Sequence, residues 1–139
     1  MTVRLETALL DSLPKAVAAA ALEVALAGAT ATVRDARAQI QEQVGSGVKY
    51  SGLPNQSSAA GEAPVDQSGG LVDTIRTDQE DVQGIGANAL AGDGSGQAFA
   101  LEAGTSNMEP RPFMGPAVVV GTAAVEMAVQ GVAKTLGRA

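Results

Sequence analysis

Cysteine, histidine and tryptophan are absent from this 139-residue chain, and its aromatic side chains are limited to two Phe and one Tyr. Without cysteine the chain has no disulfide, no thiolate nucleophile and no CxxC metal site. Without histidine it lacks the side chain that most often serves as general base or metal ligand. The composition therefore predicts a protein that is not an enzyme.

The apolar residues that could form a core are mostly small. The sequence contains 27 alanines, and a buried alanine removes little area from water at about 25 cal/mol per Å². We therefore expect a modest core, with part of the stability supplied by neighbouring subunits.

Positive charge is also scarce, since nine Lys and Arg stand against fifteen Asp and Glu and leave a net charge of −6. Nucleic-acid binders normally carry a basic patch, so specific nucleic-acid binding is not expected. The longest apolar run, at 16–33, is rich in alanine and is interrupted by Glu23, which argues against a membrane span. No charged segment leads into a compact apolar run at the start, so we expect a soluble chain without a signal peptide.

Residues 12–42 are predicted to form a long helix. Ser12 can cap it, Pro14 suits its first turn, and Gly45 and Gly47 follow its end. Apolar residues mark two nearly opposite faces. Either alanine simply tolerates water there, or one face packs on the chain's own sheet and the other on a neighbouring protomer.

The middle of the chain is predicted to be irregular. Residues 44–70 are rich in Gly, Ser, Pro and Gln and indicate a long mobile loop. Segments 71–77 and 81–90 are predicted as short strands or a strand after a turn. Segment 91–96 is predicted as a turn, and 98–104 as a short element of undetermined type.

A second helix is predicted to open at Pro116. Polar residues recur every fourth position and predict a solvent-exposed stripe of Thr122, Glu126, Gln130 and Lys134. The predicted buried side comprises Val118, Val125, Val129, Val132 and Leu136. The pattern as a whole predicts a single α+β domain over 1–139, with a long N-terminal helix, a small antiparallel sheet with long loops, and a C-terminal helix.

The segment "GIGANA" at 84–89 matches the spacing of a dinucleotide-binding fingerprint. That motif requires a buried strand before the glycines and a helix directly after them, and neither is predicted here. A small soluble module that binds a ligand or nucleotide through the cluster from Gly84 to Gly96 stays open as an alternative.

Two other chemistries need only residue types that the chain does contain. A hard cation could be held by carboxylates, although the spacing fits no EF-hand loop and a solvated acidic face is the favoured interpretation of Asp78, Glu80, Asp81 and Asp93. A serine nucleophile would need an amine base, which only Lys15, Lys49 or Lys134 could supply.

Two blocks resemble a known family. The stretch "LEAGTSNMEPRPFMGPA" (101–117) is similar to the C-terminal signature of small tail-completion and neck proteins of long-tailed bacteriophages, related to lambdoid minor tail components. "SSAAGEAPVDQSGGLVDTI" (57–75) resembles an earlier block of that family, in the same order and spacing. The matching positions are Gly61, Glu62, Pro64, Gly69, Leu71, Ile75, Leu101, Glu102, Gly104, Thr105, Arg111, Pro112, Phe113 and Pro116.

The chain departs from the family pattern at a few positions. Ala103 replaces the usual aromatic after Glu102, Ala60 and Ala63 stand where prolines are common, and Ser68 replaces a threonine. These changes loosen the loop and reduce the core.

The resemblance implies a structural virion protein of the head–tail junction, assembled in the host cytoplasm, with no catalytic, cofactor-binding or metal-binding residue. It implies a homo-oligomeric ring of six copies, stacked between a head connector or stopper and a tail terminator or tail tube, through which the genome can pass. Tail-terminator and head-closure (stopper) rings remain alternatives within that class.

The Pro-Arg-Pro-Phe corner has an expected physical role. Its prolines restrict the backbone, so we expect it to fix Phe113 as an anchor in a core of small residues and to set the start of the last helix. Arg111 is the candidate inter-subunit contact, because a guanidinium suits carboxylates on a neighbour. Capping or packing inside its own subunit is the equal alternative.

Overall fold

A computed structural model describes residues 2–6, 15–80 and 86–137. The elements in chain order are β1 (Thr2–Glu6), α1 (Lys15–Glu42), α2 (Gly70–Thr74), β2 (Arg76–Glu80), β3 (Gly86–Leu90), α3 (Gln97–Ala103) and α4 (Met114–Leu136). Two long helices flank short strands and short helices, so the predicted α+β class is confirmed.

The sheet is antiparallel, with the strand order β1-β3-β2. In its register Ala89 lies between Val3 and Thr77, and two residues earlier Ala87 lies between Leu5 and Gln79. Because alternate residues of a strand face the same side, Ala87 and Ala89 share one face, and both are buried. Strand β3, with its small side chains, thus lets a helix lie close to the sheet.

Helix α1 packs against both the sheet and α4. Ala25, Ala29 and Ala87 form one small cluster, and Ala36 and Ile40 join the main core. Helix α4 of the same chain thus helps to cover α1, and a contact of α1 with a neighbouring protomer stays a prediction. The helix ends at Glu42, as its following glycines predict.

Segment 71–77 is only partly a strand. Residues 70–74 form the single helical turn α2, which places Val72 and Ile75 in the core, and the strand begins at Arg76. Gly69, which precedes the turn, has a φ of 81°, a left-handed conformation that glycine adopts without steric cost.

Small residues join α4 to α1. Gly121 is buried against Gly28 and Thr32, and the Thr32 hydroxyl donates a hydrogen bond of 2.8 Å to the Gly28 carbonyl oxygen. Gln39 of α1 reaches Phe113 at the other end of the contact, so the two helices are antiparallel. Close approach of their backbones is possible because Gly121 has no side chain.

The polarity of α4 is predicted correctly on one side only. All four residues of the predicted polar stripe are exposed. The predicted buried side is buried only in part, since Val118, Val125 and Val132 are half-buried and Val129 is 50% exposed, while the Leu136 side chain lies outside the described residues. Met114, Ala117 and Gly121 are the buried positions, and the missing side chain of Gly121 lets the two helices approach closely.

We expect Gly121→Ala to destabilise the protein, although alanine favours helix by about 1 kcal/mol. The new methyl group would overlap Thr32 Oγ1 and lie 2.9 Å from the Gly28 carbonyl oxygen, which forces the helices apart. The expected loss of unfolding free energy is about 1–3 kcal/mol, measured by urea denaturation. The double variant with Thr32→Ala should recover part of it. A Gly121→Ala variant as stable as the wild type would contradict this helix contact.

Candidate functional site

The carboxylate of Glu102 caps the N-terminus of α4. Its Oε2 accepts hydrogen bonds from the backbone N–H groups of Phe113 at 2.7 Å and Met114 at 2.9 Å, and Oε1 accepts one from Gly115 at 2.7 Å. The first N–H groups of a helix have no partner within the helix, and the helix dipole favours negative charge there. One side chain on the last turn of α3 thus satisfies three donors and fixes where α4 starts.

A tight turn carries the chain from Glu102 back to α4. Gly104 follows α3 with a φ of 78°, and a Cβ at this position would lie 2.9 Å from both the Met108 carbonyl oxygen and Pro110 Cδ. Thr105 and Met108 then pair through backbone hydrogen bonds of 2.8 and 3.3 Å. The chain therefore turns at Gly104-Thr105, and only glycine fits at the first position of the turn.

Phe113 lies at the centre of the core. Its side chain is fully buried and is the largest fully buried one among the described residues. Ile40, Ile75 and Met114 are also fully buried. Gln39 Nε2 donates a hydrogen bond of 3.1 Å to its carbonyl oxygen. Leu101 packs against the same core, and the flanking Pro112 is half-buried whereas Pro116, in the first turn of α4, is exposed. The expected anchor position of Phe113 matches its burial.

The two sequence blocks meet at residues 110–111. The Gly61 N–H donates to the Pro110 carbonyl oxygen at 2.9 Å, and the Arg111 N–H donates to the Leu101 carbonyl oxygen at 2.6 Å. The Arg111 side chain crosses to the first block, where its Nε donates to the Ser58 carbonyl oxygen at 3.2 Å. Residues about 50 positions apart in the chain thereby form one structural unit, which we call the junction.

Glu62 holds the loop side of this junction. Its Oε2 accepts hydrogen bonds from the Ala59 N–H at 2.9 Å and from Gln43 Nε2 at 3.3 Å. The Ser46 hydroxyl donates to the same carboxylate at 3.0 and 3.1 Å. The segment after α1 is therefore tied to the first block by one carboxylate. The role of Glu62 and Glu102 as acceptors for local donors could not be read from the resemblance, which marks them only as matching positions.

The remaining matching positions support the loop and its exit. Pro64 is buried and Leu71 half-buried, while Ile75 is fully buried. Between residues 43 and 69 the structure has neither helix nor strand, although Gly47 and Ser57 pair through a backbone hydrogen bond of 2.8 Å. The predicted long loop is present, and Gly47 and Ser57 are joined within it.

Arg111 is half-buried and engages its own chain. Besides the Ser58 contact, its NH1 lies 3.5 Å from the Glu109 carbonyl oxygen. Both partners are backbone carbonyl oxygens of this chain, as the intrasubunit alternative expects. Its role as an inter-subunit contact stays a prediction.

A cleft of about 630 Å³ lies beside the junction. Its walls come from the loop, α2, the turn after β3 and α3, with contributions from Tyr50, Leu53, Pro64, Leu71, Leu101 and Arg111. Asp93 also lines it, and the hydroxyl and backbone of Ser95 hold the pKa of this carboxyl below its ordinary value. The mouth of the cleft thus carries a carboxylate and a guanidinium beside an apolar wall.

The glycine-rich segment does not have the geometry of a dinucleotide fingerprint. Gly84 lies outside the described residues, residues 86–90 form strand β3, and the next helix begins only at Gln97. Gly92, Gly94 and Gly96 all have positive φ, which makes 91–96 the turn that the sequence predicts. Pyrophosphate binding on a helix N-terminus directly after the glycines has no counterpart here.

The other candidate chemistries find little support in the described geometry. Among residues 2–6, 15–80 and 86–137 no group of three or more carboxylates is placed to hold a metal ion. Asp78 and Asp93 are exposed, and Asp81 and the side chain of Glu80 lie outside the described residues. Lys49 Nζ contacts the Leu53 carbonyl oxygen, Lys134 is exposed, and the side chain of Lys15 is not among those described.

Within the described residues, α1 from Val17 and α4 to Thr135 are long and apolar enough to cross a membrane by length and composition. The window of α1 is 28% buried inside the protein and that of α4 only 11%. Two such helices are weak evidence, since core helices of soluble proteins pass the same test.

No protein-family model matches the chain, and neither the curated proteins nor the solved structures contain a match.

Proposed function

We propose that this protein is a structural component of the head–tail junction of a long-tailed bacteriophage. The observation that carries the proposal is the junction itself, because the two blocks that resemble the phage family are joined in space. Glu102 caps α4, and Arg111 reaches the Ser58 carbonyl oxygen across the junction.

Exposed apolar side chains support a protomer that is completed by neighbours. Several large apolar side chains, among them Val119 and Met127, remain in water, and such surfaces mark sites of association. The proposed assembly is a ring, six copies being what the resemblance implies.

The charge suits a conduit for DNA. With a net charge of −6 per copy, a hexamer would repel phosphates and would not hold a passing genome. The proposed location is the virion neck or tail, between the head connector or stopper and the tail terminator or tube. Tail-terminator and head-closure rings are variants of the same proposal, and none of them needs a catalytic group.

A small-ligand module is the second candidate, favoured by one observation. Gly92 and Asp93, from the glycine-rich cluster, line the cleft of about 630 Å³, which is within the size range of ligand pockets.

Thermal unfolding at a series of protein concentrations separates the two candidates. A ring component gains stability as its concentration rises, whereas a monomeric binding module gains stability only with saturating ligand. We expect a Tm that increases with protein concentration, together with light-scattering masses above 13.8 kDa. A concentration-independent Tm and a monomer mass throughout would contradict the ring.

A further inference from the structure

The cleft beside the junction combines charged and apolar groups on one concave surface. Its charged lining residues are Arg111, Asp66, Asp93 and Glu109, and apolar side chains such as Leu101 line the same space of about 630 Å³. Pockets for small ligands have this size and this mixture of an apolar wall with a few polar groups. The charged groups of the cleft therefore indicate what kind of ligand it can hold.

Arg111 is the cation of the cleft, and no carboxylate in the described part of the chain neutralises it. The guanidinium is half-buried, its Nε donates to the Ser58 carbonyl oxygen, and its Nη1 lies 3.5 Å from the Glu109 carbonyl oxygen. Both of these partners are neutral, and Nη2 has no partner among the described residues. Because a guanidinium matches the two oxygens of a carboxylate, Arg111 can bind an anionic group without losing an ion pair.

Ser58 provides a second and independent observation. Its side chain is 2% exposed, and its Oγ has no hydrogen-bond partner among the described residues. Buried hydroxyl groups nearly always have a partner, and Ser58 is part of the cleft lining. Its carbonyl oxygen is the one that Arg111 contacts, so the unpartnered hydroxyl and the guanidinium lie on the same part of the wall. Both can donate hydrogen bonds, and together they suit a carboxylate.

Two carboxylates of the cleft are exposed and have no cationic partner in the described structure. Asp93 and Glu109 are both exposed, and the only hydrogen bond of the Asp93 side chain in the described structure is accepted from the Ser95 N–H at 2.9 Å. Hydrogen bonds from Ser95 hold the pKa of Asp93 below its ordinary value, so Asp93 is ionised at neutral pH. The third carboxylate, Asp66, accepts a hydrogen bond from the Gly69 N–H. Unpaired anions at the cleft favour a positive group on the ligand.

We propose that this cleft binds a short apolar peptide in its zwitterionic form. The C-terminal carboxylate of the peptide lies against Arg111 and the Ser58 hydroxyl, its ammonium group faces Asp93 and Glu109, and its side chains contact the apolar wall. The inference rests on the small-ligand candidate, for which it names the ligand class, and it does not require the ring.

Other ligand classes leave part of this charge pattern unmatched. A phosphate carries up to two negative charges, whereas the cleft offers one guanidinium against three carboxyl groups. An apolar carboxylate without an amine leaves Asp93 and Glu109 unpaired, and an apolar amine leaves Arg111 and the Ser58 hydroxyl unpaired. A zwitterion with an apolar body satisfies both sets of groups.

Three forms of one tripeptide, Leu-Ala-Leu, test the charges without altering the protein. The unmodified peptide, its C-terminal amide and its N-acetyl form are titrated into the wild-type chain by calorimetry at neutral pH. We expect saturable binding of the unmodified peptide and about tenfold weaker binding of the amide, because the amide loses the hydrogen bonds between charged groups. The N-acetyl form should bind about threefold more weakly, since its partners Asp93 and Glu109 are exposed to water.

Ser58→Ala separates binding from stability. Because Oγ has no partner in the described structure, we expect the Tm of the free protein to stay within about 2 °C of the wild type or to rise. Affinity for the unmodified tripeptide should fall by about fivefold, because one hydrogen bond to the ligand is lost. A hydroxyl with a purely structural role would lower the Tm and leave the affinity unchanged, and that result would overturn the assignment of Ser58.

Asp93→Asn tests the ammonium end. It keeps the oxygen that accepts from Ser95 and removes the charge, so it should weaken binding of the unmodified peptide and leave the N-acetyl form unaffected. Asp78→Asn is the matched control, because Asp78 is exposed and is not part of the cleft lining. It should change neither affinity.

The outcomes separate this inference from the functions proposed above. Equal affinities for the three peptide forms would keep the small-ligand candidate and overturn the zwitterion. If the unmodified tripeptide shows no saturable binding while the chain assembles as its concentration rises, the ring stands and this inference is wrong. A chain that stays monomeric and binds the unmodified form more tightly than both capped forms would confirm the inference and contradict the ring.

Discussion

Phe113→Ala is expected to lower the free energy of unfolding by about 3–5 kcal/mol, the largest effect of any single substitution considered. Phe113 is fully buried in a core whose other members are mostly alanines. Small neighbours on rigid helices cannot collapse far into the space that the ring leaves, so most of the cavity should persist. Urea denaturation followed by circular dichroism, at a concentration where the chain is monomeric, measures the loss.

The chain supplies its own control, because its only other phenylalanine is Phe99, which is 63% exposed. Phe99→Ala should change the stability of the monomer by less than about 0.5 kcal/mol. Should Phe113→Ala fail to fold, Phe113→Leu should fold with a smaller loss, of about 1–1.5 kcal/mol. Equal effects of the two Phe→Ala substitutions would contradict the anchor role of Phe113.

Glu102→Gln is expected to lower the free energy of unfolding by about 2–3 kcal/mol. The carboxylate accepts three backbone hydrogen bonds, and hydrogen bonds to a charged group are stronger than those between neutral groups. The substitution keeps the size of the side chain but removes the negative charge from the helix N-terminus. The amide also presents one acceptor oxygen and an NH₂ group to three N–H donors, so at least one donor loses its partner. The same urea titration gives the magnitude.

Glu109→Gln is the matched control, since it removes the same charge seven residues further on from an exposed side chain. We expect it to change stability by less than about 0.5 kcal/mol. The difference between the two variants isolates the cap from the change in net charge. A Glu102→Gln variant within 0.5 kcal/mol of Glu109→Gln would mean that the carboxylate does not hold α4 in place.

The long elements could be predicted from the sequence because their signals are local. The glycines after position 42 stop α1, and the proline and phenylalanine near 113–116 set the start of α4. Gly104 ends α3 with a positive φ, a conformation that glycine adopts without steric cost. Capping residues, breakers and turn residues act over three or four positions, so a single sequence carries them in full.

The packing between elements was predicted less well because it depends on contacts that are distant in sequence. Strand β1 was not anticipated, since five alternating residues near the start say little until β3 pairs with them. On α4, Ala117 and Gly121 are buried, whereas the predicted valines are half-buried or exposed. Hydrophobicity alone favours the larger residue, whereas close helix packing selects the smaller one.

The junction could be predicted as two blocks but not as one unit. Its connections run to backbone atoms, such as the Ser58 carbonyl oxygen that accepts from Arg111 and the Pro110 carbonyl oxygen that accepts from Gly61. Every residue has a carbonyl oxygen, so no side-chain pattern reveals which one is used. For the same reason the sequence left open whether Arg111 faces a neighbour or its own chain.

The central claim, that this chain forms a ring at a phage head–tail junction, is tested most directly by cryo-electron microscopy of purified particles. The junction would be reconstructed without imposed symmetry until the symmetry is established from the images. The account predicts density for this chain as a closed ring between the connector and the tail tube. Intact particles whose junction contains no density for this chain would contradict it.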